Sequence, residues 1–171
     1  LGTFVLGDSY EPKDTMGILA RCRDARLTIL DKLKKQNTSF SLYTSISDFN
    51  LNELTEEEKT LFHGTIQNRD FLKYALLELE KTEQNHKKIG KLLSDHHAVL
   101  RDVLNVSTPK IEAMLEAAMD AGALGGKING SGGGGCMVAY VPENPQQIAE
   151  AIQKAGGKAY IIYPDEGTRI D

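Results

Sequence analysis

Five of the six residues from Gly130 to Gly135 are glycine, the exception being Ser131, and strand formers from Cys136 to Val141 follow at once. Glycine reaches backbone angles closed to other residues and brings no side chain. A backbone built this way can approach a phosphate or another loop closely and offer its N–H groups as anion ligands. Gly130, Gly132 and Gly135 formally satisfy G-x-G-x-x-G. The dinucleotide fingerprint, however, needs its glycines after a strand and at the opening of a helix. Here a strand follows instead. A phosphate-binding loop of the Gly-Lys-Ser/Thr kind is excluded as well, because Cys136 follows the last glycine. A flexible linker would mix in Ser and Pro and would seldom abut a buried strand.

A chain of 171 residues suits one domain with a real core. Hydrophobic residues make up 40%, charged residues 26%, and the net charge is −4. Mild acidity with interspersed charges gives no electrostatic footprint for nucleic acid and no disorder signature. Cys22 and Cys136 stand far apart without metal-ligand spacing, which points to a reducing, cytoplasmic setting. No apolar run approaches the roughly 18 residues of a membrane span, and no signal peptide is evident. The chain opens at Leu1 directly in strand-like Thr3–Leu6, which leads us to expect a piece of something longer.

The pattern predicts a strand near 3–7 and a polar loop over 8–15. Ile18, Cys22, Ala25, Ile29 and Leu33 then recur at helical spacing, giving a helix over 16–35. Thr55 with Glu58 forms a capping box for a further helix. Its continuation carries the stripe Phe71, Leu72, Ala75, Leu76 and Leu79, with a break or bend expected near Gly64. The next helix, over 83–104, has Ile89, Leu92, Leu93, His96, Val99, Leu100 and Val103 on one face. Thr108-Pro109 starts another, ending at Gly122 with Ile111, Met114, Leu115 and Ala118 inside. Strand 136–141, a helix from Asn144-Pro145 to Gly156-Gly157 and strand 158–163 complete the chain. This order implies an α+β fold, helices layered on a small, mostly antiparallel sheet.

Gly126-Lys127-Ile128-Asn129-Gly130-Ser131-Gly132-Gly133-Gly134-Gly135-Cys136 resembles the third motif of the GHMP small-molecule kinases. Leu100-Arg101-Asp102, Val106-Ser107 and Pro109, with His97 before them, resemble a galactokinase segment of that superfamily. His63 and Asn68 fall on another of its stretches, and Val5-Leu6-Gly7-Asp8-Ser9 is similar to a strand of its central region. The resemblance implies a ferredoxin-like GHMP C-terminal domain over 1–171. It also implies that the nucleotide loop, the acidic base and its basic partner lie in an N-terminal half that this sequence lacks. ATP and Mg would be bound mainly by that half, and no catalytic residue or metal ligand is expected here. Departures from the pattern are Val103 and Leu104, Gly133 in place of a Phe, and Gln67 in place of a Glu. The galactokinase sugar-contacting Tyr has no counterpart near Gly17-Ile18, and Tyr10 stands too early for it.

The residues expected beside substrate or phosphate are Gly130, Ser131, Gly132, Gly133, Gly134 and Gly135, with Ser131 offering a hydroxyl. Lys127 either helps to neutralise charge or lies on the solvent face of a short strand. His97 and Arg101, one helical turn apart, either face a sugar cleft or pair locally, and local pairing is the expectation. His96, central in the apolar stripe, reads as a core histidine, and adjacent histidines on a helix diverge too far to chelate. Cys136 reads as a small core residue. The implied function is the C-terminal half of an ATP-dependent galactokinase-type sugar kinase, closing the cleft with its glycine loop. Its partners would be its own N-terminal domain and a small sugar, with neither nucleic acid nor membrane, and the piece alone should not turn over. Two alternatives stand beside this: a kinase of another GHMP branch, and a free-standing regulatory domain that grips an anion. A half-kinase should expose an apolar face where its partner packed.

Overall fold

Alternation sets the sheet. In the computed structural model, which describes residues 1–43, 47 and 50–167, four strands form one sheet in the order β2-β3-β1-β4. They are β1 (Thr3–Asp8), β2 (Gly125–Ile128), β3 (Cys136–Val141) and β4 (Lys158–Ile162). Every neighbouring pair is antiparallel, with Thr3 opposite Val141 and Asp8 opposite Cys136 in the central pair. Odd positions of β1 and β3 point to one face, so Val5, Met137, Ala139 and Val141 are buried together. Helices α4 (Pro109–Asp120) and α5 (Pro145–Lys154) cover that face through Ile111, Met114, Ala118, Ile148 and Ile152. Each Val, Ile or Met side chain among them contributes roughly 1.5–3 kcal/mol by leaving water.

Helix ends follow their caps. Thr55 accepts from the Glu58 amide while Glu58 returns to the Thr55 amide, opening α2 (Glu56–Leu79). Thr108 caps α4, with Pro109 in its first turn, and Gly122, at φ 104°, follows its end. α1 (Thr15–Gln36) is capped by Asp14, which accepts from the Gly17 amide. Its second half enters a core, where Ile29 and Leu33 join Phe40, Leu54, Phe62 and Ile66 against α2. Its first half sets Ile18 against Gly133 and Arg21 on the Leu104 and Asn105 carbonyls. Cys22 is half-buried, and Ala25 is exposed.

Three expectations need correction. α2 runs unbroken through Gly64, which is buried there because a Cβ would lie 2.9 Å from Val103 Cγ1. That glycine serves close helix packing rather than a bend. The stripe on the second half of α2 is not core: Leu72, Leu76 and Leu79 are 61%, 50% and 39% exposed and border open apolar grooves. On α3 (His86–Asp102) the histidine roles are exchanged, with His97 buried and His96 only half-buried. His96 lines a groove with Phe4, Phe71, Leu93 and Asn68, and burial lowers its pKa to about 4, with the Lys127 charge adding to the effect.

The reason for that exchange lies in the sheet edge. β2 is an edge strand, and unpaired edge amides are costly when covered. α3 lies along it and supplies the missing acceptors, Ser94 Oγ for the Gly126 amide and His97 Nδ1 for the Ile128 amide. The approach is as close as two backbones allow: a Cβ on Gly125 would sit 1.8 Å from the Gly90 carbonyl oxygen.

Candidate functional site

The glycine run is the loop joining β2 to β3, and its glycines have φ from 71° to 112° (Gly130, Gly132, Gly133, Gly134 and Gly135). These angles belong to the left-handed region that disfavours side chains. The loop is braced on two sides. The Gly133 amide donates to the Val106 carbonyl at 2.7 Å, and the Gly135 amide donates to the Glu11 carbonyl at 3.1 Å. The Ser9 amide in turn donates to the Gly135 carbonyl at 2.8 Å. Among the described residues, the amides of Gly130, Ser131, Gly132 and Gly134 meet no protein acceptor.

Positive charge and a helix start stand beside these amides. Lys13 Nζ donates to the Asn129 carbonyl at 3.2 Å and passes close to Gly130 and Gly135. The first turn of α1 begins at Thr15, whose hydroxyl lies 3.4 Å from Ser131 Oγ. In the sequence Lys13 is one residue of the polar loop over 8–15. Its reach across to Asn129, 116 positions away, follows from the pairing of β1 with β3 and carried no local signal.

Lys127 does not supply that charge at the loop. Its Nζ turns back to the Ile128 carbonyl at 2.7 Å, and burial lowers the pKa of the ammonium. His97 and Arg101 lie away from the loop, in a groove with Ser94, Glu116 and Met119. Arg101 grips Asp102 through Nε at 2.7 Å and Nη2 at 2.9 Å. Nη1 lies 3.4 Å from Glu112. Arg101 therefore pairs chiefly with its neighbour Asp102, whereas His97 bonds across to other elements, to Glu112 of α4 and the Ile128 amide of β2. Cys136 is half-buried rather than core; burial raises its pKa, the Asp8 charge adds to this and Lys13 opposes it, so it is a neutral thiol.

Tyr10 holds φ 61°, an uncommon angle for an aromatic residue, with its amide donating to Asp8 Oδ1 at 2.9 Å. It is 66% exposed on the loop that also carries Glu11 and Lys13. Among the described residues, no group of three or more His, Cys, Asp or Glu side chains is gathered to hold a metal ion, and no helix is long and apolar enough to cross a membrane.

The sequence profile of the family described as GHMP kinases C terminal matches residues 72–158. A mevalonate kinase from Thermococcus onnurineus is 45% identical over 100 residues, which is 58% of this chain and 30% of that protein. A galactokinase from Mycobacterium tuberculosis is 34% identical over 67 residues, 39% of this chain and 18% of that protein. These matches span less than a third of either relative. In fold, the chain superposes on Lactococcus lactis galactokinase complexed with galactose with a TM-score of 0.70 at 21% identity, over 93% of this chain and 44% of that one. L. major mevalonate kinase in complex with R-mevalonate gives 0.52 at 19% identity, over 96% and 43%. A profile covering half of the sequence, a fold shared along nearly all of it, and a glycine loop set between β2 and β3 lead to one conclusion: the chain belongs to the GHMP kinase C-terminal domain family.

Proposed function

We propose that this chain is the C-terminal half of an ATP-dependent kinase that phosphorylates a hydroxyl of a small molecule, and that its glycine loop closes the cleft over the transferring phosphoryl group. The observation that carries the proposal is the set of four unpaired amides at Gly130, Ser131, Gly132 and Gly134, beside Lys13 and the start of α1. In phosphoryl transfer the protein chiefly positions substrate and neutralises charge, which is what backbone donors and an ammonium can do. ATP supplies the phosphoryl group when bound. This chain's part is to present donors to the phosphate oxygens, to exclude water, and to offer the Ser131 hydroxyl as a further contact. The acidic base that takes the hydroxyl proton, and most of the Mg-ATP site, are assigned to the rest of the parent.

Two acceptor classes have support. Identity of 45% to a mevalonate kinase, against 34% to a galactokinase, favours mevalonate. Galactose is favoured by the segment from His97 to Pro109, which resembles galactokinases. A coupled ADP-release assay on the full-length parent, with mevalonate, galactose, N-acetylgalactosamine and arabinose in turn, tests both; the 171-residue chain is the control. Turnover with one acceptor in the parent alone is expected. Silence with all four, or ADP release by the isolated chain, overturns the proposal.

A further inference from the structure

The two braces of the glycine loop are joined by a half-buried polar network. Val106, which receives the Gly133 amide, is followed by Ser107 and Thr108. The Ser107 hydroxyl donates to Glu112, and Thr108 donates to the carboxylate of Glu11, the residue whose carbonyl receives the Gly135 amide. Glu112 Oε1 also meets His97 Nε2 at 2.8 Å. On its other side, His97 Nδ1 accepts from the Ile128 amide at 3.2 Å, one residue before Asn129 opens the loop.

The chemistry fixes the protons. A backbone amide only donates, so Nδ1 carries a lone pair and the neutral ring bears its proton on Nε2. That proton is donated to Glu112, which must therefore be an acceptor on this side. Burial works to raise the Glu112 pKa, but hydrogen bonds from Ser107 and His97 outweigh it and hold the carboxyl below its usual range. A carboxylate with these donors is a rigid node in a place of reduced solvent.

We propose that His97, Glu112 and Ser107 are positioning residues that set the glycine loop, acting through the Ile128 amide at its entrance and the Val106 carbonyl at its middle. None touches the loop's unpaired amides. The inference rests on the phosphate-side role proposed above, since only then does loop geometry govern turnover. Misplacing a phosphate-side element by about 1 Å can cost up to about a hundredfold in rate.

The test uses the full-length parent carrying S107A, E112Q, H97A or H97N. Three quantities are read: amide hydrogen exchange over 129–135, thermal unfolding, and kcat and KM for ADP release. We expect S107A and E112Q to speed exchange at Gly133 and Gly135 by about tenfold. We expect kcat to fall by about tenfold with KM for ATP nearly unchanged. H97N, whose amide oxygen can take the place of Nδ1, should recover much of what H97A loses. Unchanged exchange at Gly133 and Gly135 in S107A and E112Q, with only a lower melting temperature, overturns the proposal. A wild-type parent without turnover would defeat the kinase reading, and the exchange data would still decide whether this network sets the loop.

Discussion

Gly90→Ala lowers the melting temperature of the chain by about 10 °C, and Gly125→Ala does at least as much. A methyl on Gly90 would lie 2.2 Å from the Leu124 carbonyl oxygen, and one on Gly125 would lie 1.8 Å from that of Gly90. Both obstacles are backbone, so no side chain can swing aside; α3 and β2 must part. Parting them breaks the bonds from the Gly126 and Ile128 amides to Ser94 and His97, which leaves covered edge amides without acceptors. Overpacking of this kind costs about 3 kcal/mol. For a chain of this length that corresponds to roughly 2–4 °C for each kcal/mol. Gly122→Ala is the contrast. Gly122 has φ 104° but nothing within 4 Å of an added Cβ, so only backbone strain of about 1–2 kcal/mol applies. Melts followed by circular dichroism check the series. A Gly90→Ala chain melting within about 2 °C of the parent sequence would show that α3 does not press on the sheet as described.

Gly132→Ala in the full-length parent lowers turnover by about a hundredfold. Gly132 has φ 83°, and a Cβ there would lie 2.5 Å from the Val106 carbonyl oxygen, the same atom that receives the Gly133 amide. The methyl therefore displaces a brace as well as straining the backbone, in the middle of the loop that carries the four unpaired amides. The stability cost combines about 1–2 kcal/mol from the left-handed angle with about 1–3 kcal/mol of overpacking against Val106. A loss of rate at a temperature where the variant is still folded is what separates a site loop from a packing loop. ADP release and a thermal melt on the same preparation give both numbers. Turnover within about threefold of wild type would mean that the loop does not position the phosphoryl group.

Much of the architecture is written in local pattern. Thr55 with Glu58, Thr108 with Pro109, and Gly122 mark helix ends by their own chemistry, and all three hold in the structure. The strand from Cys136 to Val141 and the glycine loop before it are equally plain. What sequence spacing misses is set by contacts between distant segments. His96 lies in the centre of the apolar stripe, yet His97 is the buried ring because the β2 edge needs an acceptor 31 positions away. Gly64 reads as a break and is instead the place where α2 meets Val99 and Val103. Ile18, Cys22 and Ala25 continue the period of α1, but that half meets the glycine loop through Ile18 rather than a hydrophobic core, and Met16 is 79% exposed. Lys13 enters the site only because β1 and β3 pair in register, bringing its loop onto the glycines.

The most direct test of the account is the amide spectrum of the glycine loop in the full-length parent, recorded with and without a non-hydrolysable Mg-ATP analogue at saturation. The account predicts that the Gly130, Ser131, Gly132 and Gly134 amides shift on binding, while Gly133 and Gly135, already bonded to Val106 and Glu11, move much less. Saturating nucleotide with all six amides unmoved would contradict it, and would leave the loop as a packing device alone.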